Sequence, residues 1–273
     1  TGGCHYSLEC QKYKSNCGNC IALGSKSSYD LSTYIQSNKS RYISEKIKFV
    51  SISNWIRDRA LESYLLKNFS IQTIYNNIDT RTYSRKLDAN KHLGLKKDTK
   101  KVILIGAVNQ SNKYKGFDKF LRSLDFLDKN KFKIFSFGKS DLTKIKEKGF
   151  DVKDFGFINN SIQLSYIYSS ADVFVFPSIF EAFGKTVIES MSCGTPVVAF
   201  DNSGPSELIE HKKNGYLARA FEPKDLALGI SWIVDANYNK KLTNQAIKKS
   251  KNFDNKVIAK KYMDFYKKTL EKK

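Results

Sequence analysis

The sequence predicts an α/β protein built on a doubly wound parallel sheet, and three observations carry that prediction. Between residues 101 and 200 four short runs, "KVILIGAV", "KFKIFSFG", "DVFVFPS" and "PVVAF", are almost wholly apolar, as strands buried on both faces must be. Stretches of helical period separate them, and a strand-helix alternation returns each strand parallel to the last. With 273 residues, 41% of them hydrophobic, the chain can bury one large core or two small ones.

Taken in order, the first elements follow a cysteine-rich opening. "KFVSIS" (48–53) alternates and reads as a strand, an amphipathic helix is expected over 54–68, and "FSIQTIYN" (69–76) is a second strand ending in the turn-forming "NNID" (76–79). Residues 80–101 are polar and unpatterned, which makes them the candidate linker. From Lys101 the alternation becomes regular: strand 101–108, helix 116–127, strand 131–138, helix 142–148, the strand-like "VKDFGFI" (152–158), helix 162–170 and strand 172–178. The helix carrying Glu189 and the strand 196–200 follow, and residues 223–273 read as helices with polar outer faces. No repeat or low-complexity tract is present. Ligands of such sheets bind beyond the carboxyl ends of the strands, so the loops of interest start near Gly106, Gly138, Phe157, Pro177 and Phe200.

Lysine and arginine total 47 against 27 acids, a formal charge of +20, which suggests an anionic partner: nucleic acid, lipid surface or phosphorylated small molecule. The lysines are spread along the chain without an RNA-binding aromatic pattern, so nucleic acid is not expected, and a basic face towards anionic lipid or a solvated lysine-rich surface fits better. No apolar run approaches the roughly 20 residues that cross a bilayer. Cys4, Cys10, Cys17 and Cys20 crowd the first twenty residues, the last two as C-x-x-C, with His5 beside them. That spacing suits a structural zinc, two disulfides or four reduced thiols. Cys193, among small residues at a helix end, reads as packing.

The loop "GAVNQSNKYKGF" sets two glycines, Gly106 and Gly116, around Lys113 and Lys115. It is neither a P-loop nor a G-x-G-x-x-G, but small residues admit a diphosphate and lysine supplies a point charge. Further on, "FEAFGKTVIESMSCGTPVVAF" (180–200) places Phe183 and Gly184 at the start of a helix, whose free N–H groups favour an anion, and ends it at Gly194 with Pro196 beyond. Glu189 lies four residues past Lys185. Its carboxylate can take two hydroxyls of a ribose, or form an i,i+4 surface pair with Lys185. Glu181 precedes the helix and can address the other end of the same ligand; a diol-reading carboxylate and an anion-binding helix start roughly 5 to 8 Å apart, by helical rise, fit a nucleotide-linked sugar.

These motifs, with "SGPSELI", "NGYL" and, upstream, "VSISNWIRDRAL" and "IYNNIDTRTY", resemble the retaining GT-B glycosyltransferases of the family called glycosyl transferases group 1, or family four. "TGGCHY…C…CGNC" is similar to a subgroup of exopolysaccharide and O-antigen transferases. The resemblance covers most of the chain, and the pair of glutamates eight positions apart is its hallmark. It implies a complete C-terminal Rossmann-like domain and an N-terminal Rossmann-like domain only partly present, with most of that domain and a motif histidine preceding Thr1; this chain alone is then expected to be inactive. The implied boundaries are 1–84 for the N-terminal remnant, 85–100 for the linker, 101–255 for the nucleotide-sugar domain and 256–273 for a C-terminal helix packing back on the N-terminal part.

By resemblance Glu181 lies near the transferred sugar, and the amides of Phe183, Gly184 and Lys185 contact sugar or diphosphate. Glu189 binds the ribose, Lys115 holds the diphosphate, Gly204 lies near the phosphates, and Phe157 and Ile158 border the base. Many relatives carry an arginine after the first loop's glycine. Here Ala107 follows Gly106, so that contact is missing or comes from Lys113. No Asp-x-Asp pair occurs, so no cofactor is expected for catalysis. The implied partners are a UDP- or GDP-linked sugar donor, a glycan or polyprenyl-diphosphate-linked acceptor, and an anionic membrane surface at the cytoplasmic face, in surface polysaccharide or lipopolysaccharide synthesis. Two other readings stand beside this one: a non-catalytic nucleotide-binding fragment, and a nucleotide-sugar epimerase.

Overall fold

The computed structural model describes residues 10–96, 98–109, 112–139, 141–235 and 239–271. The chain divides into two units, one running up to Tyr75 and including residues from Tyr262 onward, the other Asn76–Lys261.

In the smaller unit, helix α1 (Leu31–Tyr42) is set by its cap. The Asp30 carboxylate accepts from the amides of Ser32 at 2.8 Å and Thr33 at 3.4 Å, while the Asp30 amide donates to Thr33 Oγ1, a reciprocal box. The Ser32 hydroxyl and the Cys20 amide also bond to Asp30 and hold its carboxyl well below the usual range. Strands β1 (Phe49–Ser51) and β2 (Ile71–Thr73) pair in parallel, Phe49 opposite Ile71, across helix α2 (Asn54–Leu61). Ala60, Leu65 and Leu66 pack there with Phe49, Phe69 and Ile71. The helix expected over 54–68 stops early: buried Ser63 donates its hydroxyl to the Ala60 carbonyl at 2.7 Å and turns the chain.

The larger unit begins with the turn at Asn76, pinned by two bonds to residues far along the chain: Ile78 N to Phe253 O at 2.9 Å and Asn255 N to Ile78 O at 3.1 Å. After the short helix α3 (Ala89–His92) comes a six-stranded, all-parallel sheet. Its strands are β3 (Lys101–Asn109), β4 (Phe132–Lys139), β5 (Asp151–Asp154), β6 (Val173–Phe176), β7 (Val197–Phe200) and β8 (Gly215–Ala218), in the spatial order β5-β4-β3-β6-β7-β8. Two half-sheets therefore wind outward from a central β3-β6 pair, with Ile103 opposite Val173 and Ile105 opposite Val175. This is the doubly wound order.

Strand residues alternate between two buried faces, which is why the runs are apolar throughout. Ile103, Ile105, Val173 and Val175 join a cluster with Phe120, Leu124, Leu226 and Ile230 from α4 (Phe117–Ser123), its continuing turn and α8 (Pro223–Val234). On the other face Phe137, Phe174 and Tyr168 meet edge-on or stacked within 5.5 to 6.3 Å, beneath α6 (Ser161–Ser169) and α7 (Lys185–Ser192). Each such side chain, fully buried, contributes about 1.5–3 kcal/mol. Helices α5 (Thr143–Glu147), α9 (Asn239–Ser250) and α10 (Asn255–Leu270) complete the chain. Helix α7 ends at Gly194 as its sequence suggests: Thr195 N bonds to Ser190 O and Gly194 N to Met191 O, with Gly194 left-handed. Among the described residues no helix is long and apolar enough to cross a membrane.

Candidate functional site

The winding order decides where a ligand goes. From β3 the chain leaves to one face through α4, and from β6 it leaves to the other through α7, so the loops after these neighbouring strands part and leave a crevice at their carboxyl ends.

The loop after β3 ends in a tight turn, Lys113–Lys115, opened by Asn112, whose side chain accepts from Tyr114 N at 2.9 Å. The Tyr114 carbonyl accepts from Ile179 N, also at 2.9 Å, and so ties this loop to the one after β6. Lys115 Nζ then lies 2.7 Å from Glu181 Oε2, with the two side chains 31% and 26% exposed. Gly106, Ala107, Lys115 and Ser178 line one small cleft between the ends of β3 and β6.

A third loop, after β7, closes on the same place. Gly204 N donates to the Glu181 carbonyl at 3.1 Å, and a Cβ at Gly204 would stand 2.1 Å from the Ala182 carbonyl oxygen, so no side chain fits there. Asn202 donates its amide to the Ile179 carbonyl. Two atoms of this loop, Asn202 Oδ1 and Ser203 Oγ, are buried with no hydrogen-bond partner among the described residues, a condition that most buried polar groups avoid. Beside them α7 starts at Lys185 with Gly184 as its cap and no side chain capping it, so its positive end is open to an anion.

The remaining expected residues are placed as follows. Lys113 lies 5.0 Å from the Tyr114 ring and Lys185 is exposed at the first position of α7. Phe183 is buried with its ring 5.9 Å from Phe253, which leaves only its backbone for the crevice. Phe157, exposed, and Ile158, half-buried, follow β5, two strands from β3.

Glu189 corrects one of its two readings: it is not a surface partner of Lys185. It is 6% exposed, and Tyr168, itself fully buried, donates its hydroxyl to Glu189 Oε2 at 3.2 Å. Burial raises the Glu189 carboxyl above its usual value, opposed by the charge of Lys185 and by the hydroxyls of Tyr168 and Tyr83. Burial likewise raises the thiol of Cys193, at the end of the same helix, which is packing as expected.

Sequence reasoning missed Tyr83, Tyr168, Asn202 and Ser203. The cue for Tyr168 is its position one turn before an apolar strand; Ser203 had only its place beside Gly204. In the smaller unit Cys10 and Cys20 are free thiols and Cys17 is half-buried, while Cys4 and His5 lie outside the described residues. Among the described residues no three His, Cys, Asp or Glu side chains group to hold a metal ion.

Comparison with known proteins adds four findings. The family model described as glycosyl transferases group 1 matches residues 88–253. An uncharacterized glycosyltransferase of Methanocaldococcus jannaschii is 26% identical over 245 residues, covering 83% of this chain and 61% of that protein; this chain thus spans less than two thirds of that relative's length. The fold is similar to that of a glycosyltransferase from Rickettsia africae, at TM-score 0.75 and 19% identity over 90% of this chain and 69% of that one. It is also similar to that of Anabaena HepE in complex with UDP and glucose, at TM-score 0.69 and 20% identity over 86% and 66% of the two chains.

Proposed function

Because the chain belongs to the glycosyl transferases group 1 family, we propose that its larger unit holds the nucleotide-sugar donor of a glycosyl transfer that retains anomeric configuration. The observation that carries this reading is the Lys115–Glu181 pair at 2.7 Å, where three loops converge at the carboxyl edge of the sheet.

The pair is half-exposed, and such a pair contributes only about 0–1 kcal/mol. A diphosphate can therefore take Lys115 at small cost, and Glu181, released, accepts hydroxyls of the transferred sugar. The amides at Gly184 and Lys185 can take the phosphates at the positive end of α7, and Gly204, packed directly on the Ala182 backbone, brings the third loop close to them. In the reaction proposed, the acceptor oxygen attacks the anomeric carbon on the face from which the diphosphate departs. The bond from that carbon to the phosphate oxygen breaks, its electron pair leaves with the nucleoside diphosphate, and the acceptor's proton passes to the departing phosphate oxygen. Lys115 and the α7 terminus stabilise the charge that develops there. The chain has no Asp-x-Asp pair, so this reading gives that work to the protein's own donors. Glu189 binds the ribose. A UDP or GDP sugar as donor, and a lipid-linked or free glycan as acceptor, belong to the same proposal, the formal charge of +20 favouring an acceptor at an anionic surface.

The test is calorimetric titration of the chain with UDP, GDP and ADP in EDTA, repeated with Lys115→Ala and Glu189→Ala. Binding of one nucleotide, weakened in both variants, supports the reading and names the donor class. Equal affinity in the wild type and the Lys115→Ala variant removes the crevice as the donor site.

A further inference from the structure

The sheet carries a second concavity, at its opposite end. A cavity of about 350 Å³ opens at the amino ends of β3, β4, β6 and β7, where Lys101, Lys133, Asp172 and Thr195 stand. Ligands of doubly wound sheets bind at the carboxyl edge, so neither the fold nor the donor reading accounts for a charged cavity here.

Its charge is lopsided. Among the described residues five cations line it, Arg85, Lys96, Lys100, Lys101 and Lys133, against two carboxylates, Asp98 and Asp172. Both carboxylates are already engaged. Asp98 accepts from Lys133 Nζ at 3.0 Å and from the Lys100 amide at 3.1 Å, and these bonds lower its pKa. Asp172 accepts from the Val102 amide at 2.8 Å and lies 3.5 Å from Lys101 Nζ. Lys100 turns to Asp151 at 2.5 Å. Arg85 and Lys96 are left without a carboxylate partner among the described residues. The end of helix α7 does not explain Arg85 either, because the Gly194 carbonyl is already capped by the Thr243 hydroxyl at 2.9 Å. Lys100 and Lys133, with side chains 24% and 16% exposed, are paired with Asp151 and Asp98 partly out of water, so the charges of Arg85 and Lys96 are the excess at the cavity.

We propose that this cavity is a second anion site, independent of the donor crevice, which takes a small phosphorylated molecule carrying at least two negative charges. Its volume lies at the lower end of ligand pockets, enough for a diphosphate or a sugar phosphate. Arg85, as a planar fork, and Lys96, as a point charge, supply the unspent donors, and the engaged lysines form the surrounding field.

The experiment uses inorganic pyrophosphate and glucose 1-phosphate as probes, titrated calorimetrically at constant ionic strength into the Lys115→Ala protein, which suppresses binding at the donor crevice. Saturable binding of at least one probe is expected, weakened tenfold or more by adding Arg85→Ala and Lys96→Ala. Both residues are exposed, so the fold should persist, checked by circular dichroism. A charge-matched control, Lys224→Ala with Lys260→Ala on exposed helix positions elsewhere, should leave affinity unchanged. Tighter binding of glucose 1-phosphate assigns an organic phosphate, and tighter binding of pyrophosphate a bare diphosphate. The proposal is overturned if neither probe binds the Lys115→Ala protein saturably, if the Arg85 and Lys96 substitutions leave affinity intact, or if the control pair weakens it equally. Because Lys115 is already removed, failure of the donor reading does not alter any of these outcomes.

Discussion

Glu181 and Glu189 stand at the two ends of one short motif, yet the fold gives them opposite surroundings. Glu181 sits at the carboxyl edge of the sheet, half-exposed, with a lysine ammonium 2.7 Å from its carboxylate. Glu189, little more than one turn into α7, is buried, and its carboxylate is met by the tyrosine hydroxyl of Tyr168 at 3.2 Å. One short motif thus joins two kinds of site. The first glutamate can exchange its partner for a ligand at little cost. The second is fixed by packing, so changing its partners costs stability before it costs binding.

The strongest way to break this contrast is at Lys115. Lys115→Ala should leave stability within about 1 kcal/mol, since a half-exposed pair contributes little. Nucleoside diphosphate affinity should fall by about 10- to 100-fold, the loss of a charge-assisted hydrogen bond of about 1.5–3 kcal/mol. Calorimetry and urea unfolding on the same variant read both quantities. A variant that loses stability but keeps affinity would make Lys115 a structural residue.

Tyr168→Phe should behave in the reverse way. The ring is fully buried and keeps its packing against Phe137 and Phe174, but the Glu189 carboxylate loses a donor in the interior. Unfolding in urea should show a loss of about 1–3 kcal/mol, the cost of a buried polar group left short of a partner. No loss would place Glu189 in contact with water and dissolve the distinction from Glu181.

How far the sequence reaches can be seen in the same pair. The central strands were legible because β3, β4, β6 and β7 are buried on both faces and apolar without interruption, and the end of α7 was legible because Gly194 and Pro196 act locally. The convergence of Lys115 with Glu181 followed from loop position and from the motif together. Strand β8 was not read as a strand: "GYLA" is four residues long and acquires its role only by pairing with β7. Helix α1 is polar along most of its length, and its cue was the Asp30 capping box, which the pattern of apolar residues does not show. The surroundings of Glu189 were illegible for a related reason. Lys185 lies four residues before it and suggests a surface pair, whereas its depth depends on Tyr168 from a helix distant in sequence and on Tyr83 from the segment read as linker.

A pH series sharpens the comparison further. Burial raises the folded carboxyl of Glu189 above its unfolded value, so the native state binds that proton more tightly than the unfolded chain does. Its contribution is fully present below the unfolded value, near 4.5, and is lost as pH rises through the higher folded value. Glu189→Gln cannot titrate. The stability of the variant relative to the wild type should therefore increase from pH 4 towards neutrality, measured as the difference in Tm across the series, and a difference independent of pH would refute the buried state of the carboxyl.

The smallest effect is expected at Ser203, on the Glu181 side. Its hydroxyl is buried beside Gly204 without a partner among the described residues, so Ser203→Ala removes a polar group that the free protein pays to bury. Stability should stay level or rise, by up to about 1 kcal/mol if the cost is of the ordinary size for a hydroxyl. If the hydroxyl is instead held ready for the phosphates, as the adjoining Gly204 and the open end of α7 suggest, nucleoside diphosphate affinity should fall by about fivefold, the value of one neutral hydrogen bond of about 1 kcal/mol. A variant that gains stability and loses affinity would mark Ser203 as strained for binding, in the same class as Lys115. One that gains stability and binds as before would restrict the exchangeable partners of this edge to Lys115 and the backbone of α7.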